Sequence, residues 1–281
     1  IGLAHQFDVV VSSANPNAAH EIGRAIKLSN PNMLWVADFR DIFLEPPLKR
    51  RFTREASGSL SLTNLVGQAD FVVTVSTDLV RVFQKALMNR VVLSPNGFDL
   101  DQAQLFANLS RPLAIPNGPI RIVYTGTMNS QSRDPRPLLD ALVALDEAGK
   151  IPASGVTVDV YGSRVSVAEE LAKESRYTRF LRMLGHVSRE EALAAQREAG
   201  LLLLLEGSDE ASRGVLTGKV FEYISSGRPI LCIGSRPGFE IGSLLAATGA
   251  GRVFGPDELP QMPEYLAATL AGEGLFADYS P

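Results

Sequence analysis

The chain has 281 residues, 45% hydrophobic and 21% charged, an ordinary globular composition with length for two domains of ~100–200 residues each. A net charge of −4 argues against nucleic-acid binding, which needs a basic excess, and the acidic surplus lies wholly beyond Ala107. The single cysteine, Cys232, excludes an internal disulfide and fits a reducing compartment; within its apolar run it reads as a small buried hydrophobe.

In chain order, short apolar runs alternate with helix-like segments. Strands are expected over 7–11, 34–37, 71–75 and 91–93, with helices over 17–28 and 77–86. Continuous β-branched runs separated by helices indicate a parallel sheet covered on both faces. Residues 108–119, NLSRPLAIPNGP, lack an apolar period and read as a linker between domains 1–107 and 120–281. The pattern then restarts. Strands are expected over 120–124, 156–161, 180–184, 201–205 and 229–233. Helices are expected over 136–148, 167–175, 189–199 (capped by Ser188) and 219–226 (closed by Gly227). The class is α/β, with two Rossmann-like domains facing a cleft. No apolar run is long enough to span a bilayer, since the five leucines 201–205 run into Glu206, and no signal peptide is visible, so a cytoplasmic location is expected. The chain starts at Ile1 beside a strand and stops at Pro281, which reads as an incomplete view of a longer protein.

In open α/β sheets ligands bind beyond the carboxyl ends of the strands. After the strand at 120–124 comes Thr125-Gly126-Thr127, either a structural turn or a phosphate contact. Arg133 and Arg136 follow and could clamp a diphosphate; for Arg136 helix capping is preferred. The richest stretch is 214–230, GVLTGKVFEYISSGRPI. Its loop enters a helix with Lys219 in the first turn, a position unfavourable for lysine unless an anion offsets it. Glu222, about one turn deeper, suits the two hydroxyls of a ribose.

At these residues GKVFEYISSGRPIL resembles the Lys-x-x-Glu-Tyr-x-x-x-Gly-x-Pro signature of GT-B glycosyltransferases of the family 4 kind. VYTGT, VYG and LGHVS resemble donor-domain strand ends, and VVVSSANP, WVADFRD and SPNGFD resemble acceptor-domain segments. The likeness runs from Phe7 to about Phe254, carried by the order and spacing of short motifs. It implies a GT-B architecture lacking its extreme N-terminal strand and C-terminal helix. It implies a retaining glycosyltransferase active in glycan biosynthesis, with a nucleoside diphosphate-sugar as co-substrate and no cofactor; no metal is required if two cations, Lys219 and Arg133, meet the charge of the leaving group. Lys219, with Arg133, would stabilise the leaving diphosphate. Glu222 would hold the ribose, the backbone around His186 and Val187 the base, and Gly126, Thr127, Thr217 and Gly218 would complete the donor site. Asp38, Arg40 and Asp41 of the ADFRD loop are the acceptor-side candidates, Asp41 with a catalytic role, and His20 stands next to them. The chain departs from the family at Gly214, where many relatives carry a first glutamate, and in the ADFRD loop, where many carry a histidine.

Asp99-Leu100-Asp101 has metal-motif spacing but reads as turn and helix-cap chemistry. His5, His20 and His186 lack metal spacing, and Gly249-Ala250-Gly251 lacks a dinucleotide fingerprint. Lys49, Arg50, Arg51 and Arg54, interleaved with apolar residues, are either a solvated face or a peripheral contact with anionic lipid at the inner face of a membrane. Competing functions are a nucleotide-sugar 2-epimerase on the same scaffold and a two-domain ligand-binding protein.

Overall fold

The computed structural model describes residues 7–14, 17–40, 63–87, 90–99, 101–111, 113, 118–128, 133–152, 155–162 and 166–280. Its contacts divide the chain into two units, Ile1–Asn96 with Gly214–Leu216, and Gly97–Arg213 with Thr217–Pro281. Residues 97–107, placed with the first domain on sequence grounds, thus belong to the second unit.

In the first unit Val9–Ala14 (β1), Leu34–Phe39 (β2), Phe71–Thr74 (β3) and Val91–Leu93 (β4) form a parallel sheet in the order β1-β2-β3-β4. Helix Ala18–Ser29 (α1) packs on β1 and β2, and Thr77–Leu87 (α2) on β3 and β4. Trp35 is fully buried and donates its indole N–H to Ser12 Oγ at 2.8 Å. Lys27 pairs with Asp70 at 2.9 Å, and Asp70 also accepts from the backbone N–H of Trp35 at 2.7 Å, bracing the start of β2. Among the described residues Val9, Val11, Leu34 and Phe71, which share a face of this sheet by register, are exposed.

In the second unit Ile120–Thr125 (β5), Val156–Tyr161 (β6), Leu181–Gly185 (β7), Leu201–Leu205 (β8), Ile230–Ile233 (β9) and Gly251–Phe254 (β10) form a parallel sheet. Its order is β10-β9-β8-β5-β6-β7, the doubly wound Rossmann arrangement. Here the direction of winding reverses after β7, so connections fall on both faces. All five leucines of β8 are fully buried as a result. The helices are Gln102–Leu109 (α3), Arg136–Glu147 (α4), Ser166–Lys173 (α5), Arg189–Glu198 (α6), Gly218–Ser225 (α7), Glu240–Ala247 (α8), Met262–Leu270 (α9) and Leu275–Asp278 (α10). Ser188 forms a capping box with Glu191 on α6, as expected. Asp101 caps α3 by accepting from Gln104 N, so the Asp-x-Asp spacing is indeed cap chemistry. Helix α3 contacts α7, and Asn108 Nδ2 donates to Ser225 O at 2.8 Å, which is why this stretch groups with the second unit. Cys232 is fully buried in β9, where burial pushes its thiol up.

A buried carboxylate crosses the outer strands. Asp159 on β6, fully buried, accepts from Arg121 Nε on β5 at 2.9 Å and from Arg182 Nε on β7 at 2.6 Å. Burial raises its pKa, but the hydrogen bonds and charges of Arg182 and Arg121 outweigh this and hold it below the ordinary range. A carboxyl depressed in the folded state stabilises above its unfolded pKa, and that contribution is lost as pH falls through the folded value. Asp159→Asn should therefore cost about 1.5–3 kcal/mol at neutral pH. In urea titrations the gap from the parent should narrow below about pH 4; a gap constant down to pH 2 would contradict the assignment.

Candidate active site

The winding reverses between β5 and β8, and such a switch point is where an open parallel sheet presents a ligand site beyond its strand ends. At that point β5 runs into Gly126-Thr127, β8 runs into Glu206, and α7 begins at Gly218. The N-cap of α7, Thr217, makes no side-chain capping bond; its hydroxyl instead donates to Glu206 Oε1 at 3.1 Å. Lys219 in the first turn lies against Tyr124, with Nζ 3.4 Å from the phenol oxygen and 4.4 Å from the ring centroid. Tyr124 in turn donates to Thr127 O at 2.7 Å, locking the loop after β5. Gly126 has φ +137, and a Cβ there would stand 2.6 Å from Lys219 Nζ, so the lysine occupies space that only glycine leaves. Arg133 approaches the same place, with Nη2 4.0 Å from Glu206 Oε2.

These groups form one charged cluster. Burial lowers the Lys219 pKa to about 8; the charge of Glu206 opposes this, Arg133 adds to it and Glu222 opposes it. Two cations beside a helix N-terminus, close to a small backbone turn, form an arrangement suited to a diphosphate. Gly126, Thr127, Arg133, Thr217, Gly218 and Lys219, all sequence candidates, thus share one neighbourhood in the second unit. Glu206 does not stand among those candidates. Its signal was a charge directly after five leucines, read only as the end of an apolar run.

Glu222 sits one turn further along α7, its side chain one-third exposed, and pairs through Oε1 with Arg189 Nη2 at 3.1 Å. Arg189 opens α6, directly after the segment His186-Val187-Ser188. His186 is exposed and Val187 half-buried in that segment. Glu222 also lines a cavity of about 230 Å³ with Gly218, Leu193, Phe98 and Gln196. Gln196 is buried and donates to Thr125 Oγ1 at 3.0 Å, and Thr125 N donates to the Tyr223 hydroxyl at 2.9 Å. Helices α6 and α7 are thereby tied to the end of β5. Arg136 behaves as a helix-end residue: it pairs with Asp134 at 2.7 Å and with Glu170 at 3.2 Å.

In the first unit, Asp38 at the end of β2 accepts from Ser13 Oγ at 2.9 Å and from Arg40 Nε at 3.0 Å, while Arg40 Nη1 donates to Asn96 Oδ1 at 3.1 Å. The pairing of Arg40 is thus with Asp38. His20 corrects the expectation of an acceptor-side group. It is fully buried, bonded through Nδ1 to Ser12 Oγ at 2.8 Å and set against Phe39 with centroids 4.3 Å apart. Burial lowers its pKa to about 4, with Asp38 opposing, so the imidazole is neutral at physiological pH. Asp41, Lys49, Arg50, Arg51 and Arg54 lie outside the described residues. Gly214, grouped with the first unit, accepts from Ser76 Oγ at 2.7 Å. A Cβ at Gly214 would stand 2.9 Å from Leu79 Cδ2 and 3.0 Å from its Cγ, so a glutamate there requires Leu79 to move. No helix among the described residues is long and apolar enough to cross a membrane.

Two parallel sheets in one chain, the second doubly wound, are compatible with the GT-B class of fold. Solved structures of that class match nearly the whole chain. A lipopolysaccharide outer core galactosyltransferase, WaaB, in its apo form, is 12% identical with a TM-score of 0.61, over 99% of this chain and 72% of that one. An α,α-trehalose-phosphate synthase (UDP-forming) from Burkholderia vietnamiensis is 13% identical with a TM-score of 0.65, over 96% and 68%. A trehalose-6-phosphate synthase studied for glycosyl transfer with retention is 12% identical with a TM-score of 0.65, over 97% and 68%. No protein-family model matches the chain, and no curated protein matches it in sequence. The chain has the GT-B glycosyltransferase fold.

Proposed function

We propose that the chain is a glycosyltransferase that moves a sugar from a nucleoside diphosphate donor to an acceptor, with the donor held by the second unit. The observation that carries this is the seating of Lys219 and Arg133 around the switch point of β5 and β8. Negative charge develops on the leaving diphosphate as the glycosidic bond breaks. Removing one preorganised donor aimed at developing negative charge costs about 3–4 kcal/mol in other enzymes. In this reading two side-chain cations meet that charge without a metal. The first unit presents Asp38 and Arg40 to the acceptor. Retention at the anomeric carbon is supported by the neighbour described as transferring with retention.

The direct test is a thermal-shift panel of nucleoside diphosphates, since a ligand that binds the folded state raises its melting temperature. No shift with UDP, GDP, ADP or TDP at millimolar concentration would rule the donor reading out. Within it, Glu222 receives the ribose diol. Glu222→Ala should weaken binding by about 1.5–3 kcal/mol, the scale of hydrogen bonds to a charged group. The 2′-deoxy nucleotide should then lose less affinity in the variant than in the parent. Equal losses in both proteins would remove Glu222 from the ribose site.

A further inference from the structure

We propose that Glu206 binds the hydroxyl groups of the transferred sugar and makes the site select a sugar-bearing diphosphate over the bare one. This rests on the donor reading above. Glu206 closes a strand whose five leucines are fully buried, and is itself only 5% exposed. A carboxylate is costly in such a place unless it is paired and hydrogen-bonded. Its Oε1 accepts from Thr217, the N-cap of α7, and its Oε2 lies 4.0 Å from Arg133, which places the carboxylate inside the cation cluster.

The position is at odds with a site for a diphosphate alone. An anion seated between Lys219 and Arg133 stands beside a second negative charge, and like charges at this range repel strongly in a poorly solvated pocket. A neutral residue at 206 would hold a bare diphosphate better. A carboxylate becomes useful when the ligand brings hydroxyl donors, because an ionised carboxylate only accepts hydrogen bonds and a sugar supplies several. Such a site favours the polyol-bearing ligand and disfavours the diphosphate left after transfer. Selectivity then arises from a repulsive element as well as an attractive one. A site built to hydrogen-bond a hydroxyl also discriminates strongly against a ligand lacking it.

The experiment compares UDP with UDP-glucose and GDP with GDP-mannose by calorimetry, on the parent, Glu206→Gln and Glu206→Asp. Glutamine keeps the size and an acceptor for Thr217 while removing the charge. Aspartate keeps the charge but withdraws it by one methylene. The expected result is that Glu206→Gln binds the bare diphosphate more tightly than the parent. Its preference for the sugar-bearing partner should fall at least about tenfold. Glu206→Asp should lose the same preference without gaining diphosphate affinity. If both ligands of a pair shift by the same factor in Glu206→Gln, the residue is a counter-ion of the cations and the proposal is wrong. If the parent binds none of the four ligands, the same comparison is made with ADP and TDP and their glucose-bearing forms; if these do not bind either, the donor reading itself falls, and this assignment with it.

Discussion

Removing the Lys219 charge should cost about 3 kcal/mol of nucleoside diphosphate binding, roughly two orders of magnitude in affinity, without destabilising the fold. Lys219→Met is the informative change, since methionine keeps an apolar stem against Tyr124 and deletes only the ammonium. In the free protein that ammonium is desolvated, which is why its pKa falls to about 8. A cation held at such a disadvantage adds nothing to folding, so the melting temperature should hold or rise while binding collapses. The same shift predicts a pH dependence. Below about 8 the side chain is charged and ready for an anion; above it, binding must draw a proton from solution. Parent affinity should therefore fall as pH rises through about 8, approaching tenfold per unit, and Lys219→Met should be flat over that range. Calorimetry in buffers of different ionisation enthalpy measures the proton uptake directly. A parent profile flat from pH 7 to 9.5 would show that Lys219 does not face the phosphates.

Much of this was legible in the residues, for reasons that differ between elements. The ten-residue stretch from Gly218 to Gly227 announced itself, because a lysine in a first turn and a glycine past the last one are both local signals. Strand β8 was equally plain, five leucines being too short for a buried helix. The capping box at Ser188 needed only a serine followed three residues later by Glu191. Less was readable where packing overrides local pattern. Helix α3 lies in a stretch with no apolar period and is held by Asn108 against the end of α7. Helix α8 carries a central glycine, Gly242, where a Cβ would meet the carbonyls of Arg236 and Pro237, so a packing need hides a helical signal. The site divides the same way. Lys219 and Glu222 declared themselves by position on their helix. Glu206 became visible only when the fold brought it to Thr217 and Arg133, 11 residues and a strand-to-strand distance away. His20 misled for the converse reason: a histidine near a helix start reads as available, and only the sheet shows it buried, bonded to Ser12 and set against Phe39.

Gly126→Ala should impair donor binding more than it impairs folding, and its neighbour Gly162 should behave differently. At Gly126 two costs arise. The backbone has φ +137, a conformation that residues with a Cβ rarely adopt, and strain of this kind costs about 1–3 kcal/mol. The new methyl also lands 2.6 Å from Lys219 Nζ and 3.1 Å from its Cε. That obstacle is the end of a flexible side chain, so the fold can relieve the clash by swinging the lysine off Tyr124. The relief displaces the cation the diphosphate needs, and misplaced catalytic groups lose rate and affinity steeply with distance. At Gly162 a Cβ would stand 2.0 Å from the carbonyl oxygen of Gly126, which is backbone and cannot swing away. Gly162→Ala must therefore push the whole turn after β5, lowering stability and binding together. The measurements are melting temperature and nucleoside diphosphate affinity for both variants beside Lys219→Met. Gly126→Ala should approach Lys219→Met in affinity while melting only modestly below the parent. The double variant should bind no worse than Lys219→Met alone, because a lysine already removed cannot be displaced. Additive losses in the double variant would mean that Gly126 acts through its own backbone on the ligand, and that the space it leaves for Lys219 is incidental.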